Sequence, residues 1–264
     1  MSARLARWAV FDLAVMLACW ALSSVGPWWT FLLVAPLIGG RIHALGVLLH
    51  DACHGPGSAV WLEALGGWPI GTTLDAMRAH HLRHHARTNE ANDPYLVPRR
   101  ALGDGRLFAV LLGIFPFWVF RSVVGALSCV APRLTPLYAR LLVSGEDDVA
   151  ARRDVERARR VEWPVVVTWL ALLVATALEP AFLGRHWWLP LAWAALFNAC
   201  RFLAEHSSLD GSAGIEATTR EHRSPWLAPF VFPHHVGYHR THHAFPTAAW
   251  EALPRLAEEN STRD

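Results

Sequence analysis

Apolar residues in this chain come in long blocks, with little strict alternation. Positions 8–23, 28–48, 161–178 and 187–204 are predominantly apolar, and their lengths approach the roughly 20 residues a helix needs to cross the hydrocarbon of a bilayer. Gly26-Pro27 and Glu179-Pro180 separate the blocks within each pair, and such dipeptides mark tight reversals, so the pattern predicts two helical hairpins. Trp28, Trp29, Trp187 and Trp188 open the returning helices as interfacial anchors. Arg4 and Arg7 precede the first block, but Val25-Gly26-Pro27 followed by two tryptophans is a poor cleavage site, so the first block is read as an uncleaved span rather than a signal peptide. A further apolar stretch, 107–130, is interrupted by Pro116 and Arg121. Because an Arg at mid-bilayer costs about 2.5 to 3.5 kcal/mol on insertion scales, this stretch is read as interfacial or re-entrant. The expected fold is all-α: a multi-pass membrane protein with four transmembrane helices in two hairpins, one domain over 1–264, and a helical cap formed by 50–160 and 205–264.

Composition strengthens this reading. Of 264 residues, 53% are hydrophobic and 14 are Trp, more than a soluble domain of this size carries. All 24 basic residues are Arg and the net charge is only +2, which gives no footprint for nucleic acid. The four cysteines (Cys19, Cys53, Cys129, Cys200) form no CxxC pair, so disulfides and structural zinc are not expected. Fourteen Arg lie between Asp51 and Arg160, whereas the two hairpin turns contain only Arg185. The positive-inside rule then puts both termini and the cap in the cytoplasm, as for a bacterial inner-membrane protein. Arg41 and Arg201 are read as the points where the second and fourth helices leave the hydrocarbon.

The candidate chemistry lies in histidine. HDACH (His50, His54), HLRHH (His81, His84, His85) and HRTHH (His239, His242, His243) each repeat at helical spacing, so their imidazoles project from one side of a helix and can converge. Eight neutral nitrogen ligands suffice for two transition-metal ions. His206, at the end of the fourth block, is a ninth candidate and His235 an additional one. Asp51, Asp93, Arg201 and Glu205 are expected to act behind the ligands: Asp51 by accepting from an imidazole N–H, Asp93 or its neighbour Glu90 likewise, and Arg201 with Glu205 as an ion pair one turn apart. His80 is left as a surface residue and His43 as a buried, hydrogen-bonded one.

These motifs resemble the integral-membrane fatty acid desaturases and hydroxylases, a group that includes carotenoid ketolases and hydroxylases. The resemblance rests on HDACHG (50–55), HLRHHARTNEANDPYL (81–96), RFLAEH (201–206) and PHHVGYHRTHHAFP (233–246). It implies a cytoplasmic two-iron centre, non-haem, held by His50, His54, His81, His84, His85, His239, His242 and His243, joined by His206, with O2 as co-substrate. One departure is that the last box lacks the acid that many relatives carry before the final histidine pair. Zinc has no redox function and its sites normally use four ligands, whereas imidazoles without thiolates suit redox metals. The expected activity is O2-dependent desaturation of a lipid acyl chain, placed by a tunnel lined by the second and fourth helices with Trp61, Trp68 and Phe202. The alternatives are carotenoid ketolation or hydroxylation, acyl hydroxylation, and, in a different class, a non-enzymatic membrane metal-binding protein. The chain carries no nucleotide-binding glycine motif, so electrons are expected from an external ferredoxin or cytochrome docking on the Arg-rich face that includes Arg83, Arg87, Arg152, Arg153, Arg159 and Arg160.

Overall fold

A computed structural model of the chain describes residues 3–57, 59–90, 93–95, 103–144, 148–206 and 219–261, and these residues are helical or irregular, without strands. The first hairpin pairs α1 (Ala3–Val25) with α2 (Thr30–Cys53), reversing at Gly26-Pro27 as the sequence predicts. α2 is the centre of the molecule, buried along most of its length by Val34, Ile38, Leu45, Leu48 and Leu49. Its close neighbours need small residues: a Cβ on Gly39 would lie 2.6 Å from the Pro190 carbonyl oxygen, and one on Gly40 2.9 Å from that of Pro229. Two backbones therefore approach α2 as closely as small residues allow.

After α2 the chain forms a helical turn (Val60–Leu62), a π-turn (Glu63–Gly67) and a 3-10 turn (Trp68–Ile70), hooking back along α2. Thr73 then caps α3 (Leu74–Ala86), its hydroxyl accepting from the Ala76 N–H at 3.3 Å. The stretch around 107–130 forms α4 (Asp104–Leu112) and α5 (Ile114–Ser128), bent by 51°. The break falls at Gly113; Pro116, which the sequence reading took for an interruption, sits in the first turn of α5, where a missing N–H costs nothing. Short α6 (Thr135–Val143) and the Arg-rich α7 (Val149–Arg160) follow, α7 leading into α8 (Trp163–Leu178). After Glu179 a helical turn (Pro180–Leu183) and a π-turn (Gly184–Trp188) run into α9 (Leu189–Glu205). The returning helix thus starts at Pro180, and Trp187 and Trp188 lie inside it, where the Trp188 indole N–H donates to Thr176 Oγ1 of α8 at 2.8 Å. The chain closes with α10 (His239–Ala244) and α11 (Leu253–Ser261).

Among the described residues three helical stretches, Ala3–Val25, Thr30–Cys53 and Val149–Leu178, are long and apolar enough to cross a membrane; α4 and α5 reach that standard only as a bent pair. α9 is 17 residues long, and the preceding turns lengthen it. Val167, Leu170, Leu173 and Val174 on α8, and Val10, Phe11 and Leu17 on α1, are exposed, as faces against lipid must be.

Arg41 does not face solvent. It is buried, donating to Asp12 Oδ1 of α1 at 2.9 Å and to the Pro229 carbonyl. Asp12 is fully buried and also accepts from His234 Nε2 at 2.8 Å. The charge stays inside because it is paired and hydrogen-bonded within the bundle.

Candidate metal centre

Four elements carry the site. α2 ends with His50 and, one residue past its last turn, His54. Arg78 of α3 reaches the spent carbonyls there, donating to Cys53 at 3.2 Å, Gly55 at 2.9 Å and Gly57 at 2.7 Å. A cation at a helix C-terminus is favourable, and this one ties α3 to α2. The i, i+3, i+4 spacing of His81, His84 and His85 puts them on one face of α3. His206 follows the last turn of α9. α10 contributes His239, His242 and His243, and it reaches them through left-handed backbone at His234 and His235 (φ 54° and 60°).

These nine imidazoles meet. His50, His54, His81 and His242 form one group and His84, His206, His239 and His243 a second, with one nitrogen from each residue within 4.8 Å of the others in its group. His85 bridges them: its Nε2 is 2.8 Å from His81 Nε2 and its ring stacks on His243 at 4.1 Å. Each group draws on at least three separate segments.

The donor set suits metal ions. Pairs of Nε2 atoms approach to 3.0 Å (His54, His81), 2.9 Å (His206, His239) and 3.1 Å (His239, His243). Metal–nitrogen bonds of about 2.1 Å put two ligands of one ion at most about 4.2 Å apart, close to the spread of each group. His84 Nε2 and His242 Nε2 are buried without a hydrogen-bond partner, a cost that a cation would remove. Burial also holds the imidazoles neutral, as ligands must be: His54 is lowered to about 4, His84 to about 3, and His81, His206, His239 and His242 well below their ordinary value, burial being the largest cause in each.

A model of the fatty acid desaturase family matches residues 27–263. The chain belongs to the fatty acid desaturase family. Among its relatives, the sphingolipid delta(4)-desaturase DES1 of Drosophila melanogaster is 26% identical over 253 residues, covering 88% of this chain and 68% of the fly protein. Membership makes this an oxidoreductase of lipid metabolism, associated with a membrane and acting on a lipid.

Around the histidines of this desaturase-family chain, the acids divide. Asp93 Oδ1 accepts from His84 Nδ1 at 2.8 Å, leaving Nε2 bare, while Glu90 is exposed. Glu205 Oε2 lies 3.6 Å from His239 Nδ1, with Arg201 Nη1 behind it at 3.7 Å. Asp51 touches no imidazole. It pairs with Arg4, which also donates to Glu251 at 2.7 Å; one residue after His50, Asp51 points about 100° away around α2, toward α1. His235 is exposed beside Trp250 and joins neither group, because the left-handed backbone turns it outward. His80 is not on the surface: its Nδ1 is 3.0 Å from the Leu142 carbonyl. His43 is buried with Nε2 3.3 Å from the Val231 carbonyl, as expected. Where family relatives carry an acid in the last box, Thr241 donates both hydroxyl and backbone N–H to Glu221.

A cavity of about 40 Å³ opens beside the centre, lined by His43, Val47 and His50 of α2, Asn198 and Arg201 of α9, and by Thr72, Tyr95 and Arg121 among others. The second and fourth long helices line this small chamber as expected, but Trp61, Trp68 and Phe202 do not. Phe202 packs instead on Tyr95 and His206. Sequence reasoning passed over Tyr95, which stacks on His84 at 4.2 Å and brings its hydroxyl within 3.3 Å of His81 Nδ1. Its signal was its place in NDPYL, two residues after Asp93.

Proposed function

We propose that this chain is a two-iron, O2-dependent desaturase that introduces a double bond into a lipid acyl chain, with His50, His54, His81, His84, His85, His206, His239, His242 and His243 as ligands. The observation that carries the reading is the pair of adjacent all-imidazole groups, buried but for the half-buried His54, without a thiolate, and with one nitrogen from each residue within 4.8 Å of the others in its group. When bound, such irons supply the reduction of one O2 to two waters, consuming two hydrogens from adjacent methylenes together with two electrons and two protons from outside. The chain's own groups do the positioning. Asp93 fixes the tautomer of His84, and the Tyr95 hydroxyl takes up the second nitrogen of His81. The apolar side chains of Phe115 and Trp118 keep water from the chamber beside His50.

The cytoplasmic side is the proposed location of the centre, as in a bacterial inner membrane. All three boxes meet, so an even number of crossings separates the second from the third; α8 and α9 supply two, and the bent α4–α5 pair is then re-entrant or interfacial. A one-electron donor, an acidic ferredoxin or cytochrome, would dock on exposed Arg152, Arg153, Arg157 and Arg160 of α7.

The test is expression in a host lacking the product, with metal analysis of the purified protein and mass spectrometry of lipids and pigments. Two irons per chain and an O2-dependent unsaturated lipid are expected, both diminished in His84→Ala. Zinc alone, or a new product that survives His84→Ala, would overturn the reading.

A further inference from the structure

The chamber beside His50 carries two guanidinium groups that an alkyl chain cannot satisfy. Arg121 of α5 is 1% exposed; its Nη2 donates to Thr72 Oγ1 at 2.9 Å, but its Nε has no acceptor among the described residues. Arg201 of α9 lies on the same chamber with Nε and Nη1 buried and without a hydrogen bond among the described residues, the Glu205 carboxylate standing at 3.7 Å as an ion pair beyond hydrogen-bond reach. Asn198, Thr72 and His80 add polar groups to the same walls. A hydrocarbon segment filling this space would strand three cationic N–H groups away from water, forfeiting their full solvation. A ligand that brings oxygen acceptors would complete them, and charge-assisted bonds from guanidinium are the strong kind.

The size of the chamber points the same way. About 40 Å³ accommodates a few water-sized groups, the size of a small polar head. His50 forms another wall of that chamber, so a head held by the two arginines sits only a few bonds from the histidine groups.

We propose that this chamber receives the oxygen-bearing head of the lipid, bound by Arg121 and Arg201, and that oxidation falls within the first few carbons beyond that head rather than at mid-chain. The inference rests on the desaturase reading above and adds no chemistry to it: the same O2, electrons and protons are consumed. Its content is where along the substrate the reaction falls and which groups decide that.

Product mapping tests it without any variant. The chain is expressed in a host that lacks the product, and new unsaturation or hydroxylation is located by ozone-cleavage mass spectrometry of the lipid extract. Oxidation within a few carbons of a carboxyl, phosphate, amide or hydroxyl head is expected. A new double bond at mid-chain or toward the methyl end overturns this inference and leaves the desaturase reading standing, whereas no O2-dependent product in any lipid or pigment overturns both. In a second experiment on purified, iron-loaded protein, dodecanoate, dodecyl phosphate, dodecanol and dodecane are compared for thermal stabilisation. The headed compounds should stabilise it, their order telling which head is preferred, and dodecane should not. Arg121→Gln should weaken the effect at least tenfold in apparent affinity with iron content retained, and Arg201→Gln should weaken it too, compared per iron bound because Arg201 also stands behind Glu205 and His239. Equal stabilisation by dodecane, or variants that retain both iron and wild-type affinity, would refute the proposal.

Discussion

Replacing Asp93 by Asn changes one atom and tests the logic of the whole centre. Asp93 Oδ1 accepts from His84 Nδ1 and from the Tyr95 N–H, both at 2.8 Å, and Oδ2 accepts from the Asn89 N–H at 2.7 Å. Three donors therefore converge on a buried acceptor, and an amide offers only one acceptor oxygen. If the amide nitrogen takes the Oδ2 place it faces the Asn89 N–H; in the Oδ1 place it faces two donors and drives His84 toward the tautomer whose Nε2 is protonated and unable to bind metal. Losing an outer partner of this kind costs about 10- to 100-fold in metal affinity, or roughly 1.4 to 2.8 kcal/mol. Competition with a graded chelator, read by iron content, measures it. The control is Asp51→Asn, because Asp51 faces Arg4 and no imidazole, and its metal affinity should stay within about twofold of wild type. If Asp93→Asn weakens iron no more than Asp51→Asn does, the assignment of Asp93 to His84 fails. Acid gives a second handle: burial raises Asp93 to about 6, so as pH falls through that value the carboxyl protonates and the His84 bond loses its charge.

Three further outcomes follow from the same geometry. His206→Ala should lower iron by about half, emptying the group that includes His84, His239 and His243, whereas His235→Ala should leave iron unchanged; equal loss in the two would mean that the ligand set is wrong. Asp12→Ala leaves Arg41 buried without its carboxylate and should destabilise the protein by about 3 to 5 kcal/mol, read as a lowered thermal midpoint in detergent. An unshifted midpoint would show that the pair contributes nothing. Metal-stripped protein should lose stability on acidification: the folded state holds His54 at about 4 and His84 at about 3, the unfolded chain has them near 6.5, so unfolding takes up protons as pH falls below 6.5. The loss is about 1.4 kcal/mol per pH unit for each such imidazole, and a thermal midpoint that holds steady from pH 7 to 5 would contradict it.

The sequence revealed the centre more fully than its surroundings. Helical periodicity alone places His81, His84 and His85 on one face, and the boxes are dense enough that their meeting could be expected. Reversals at Gly26-Pro27 and Glu179-Pro180 were legible because those dipeptides act locally. What stayed hidden depends on partners far along the chain. Asp12 and Arg41 look like single charges in apolar blocks, and nothing local tells that they meet each other and His234, 222 positions beyond Asp12. Asp51 sits between two site histidines and still points the other way, a consequence of the 100° step along α2. Trp61 falls in a single helical turn and Trp68 in the 3-10 turn of the hook, pieces too short to carry a periodic signature, so their direction could not be read.

The arginines show why apolar blocks in such a chain should be searched for charge rather than excused for it. Arg41, Arg121 and Arg201 each interrupt an apolar stretch, and each could be taken as the end of a span or a penalty against one. In the folded chain they have two different fates. Arg41 is satisfied by Asp12 and the Pro229 carbonyl, and so ties α1 and the segment before the last box to α2. Arg121 and Arg201 are only partly satisfied and share one chamber with His50. A buried charge persists only if something offsets its desolvation. Where the protein supplies the partner the charge organises the fold, and where donors are left open beside the histidine groups the proposed partner is the head of the substrate.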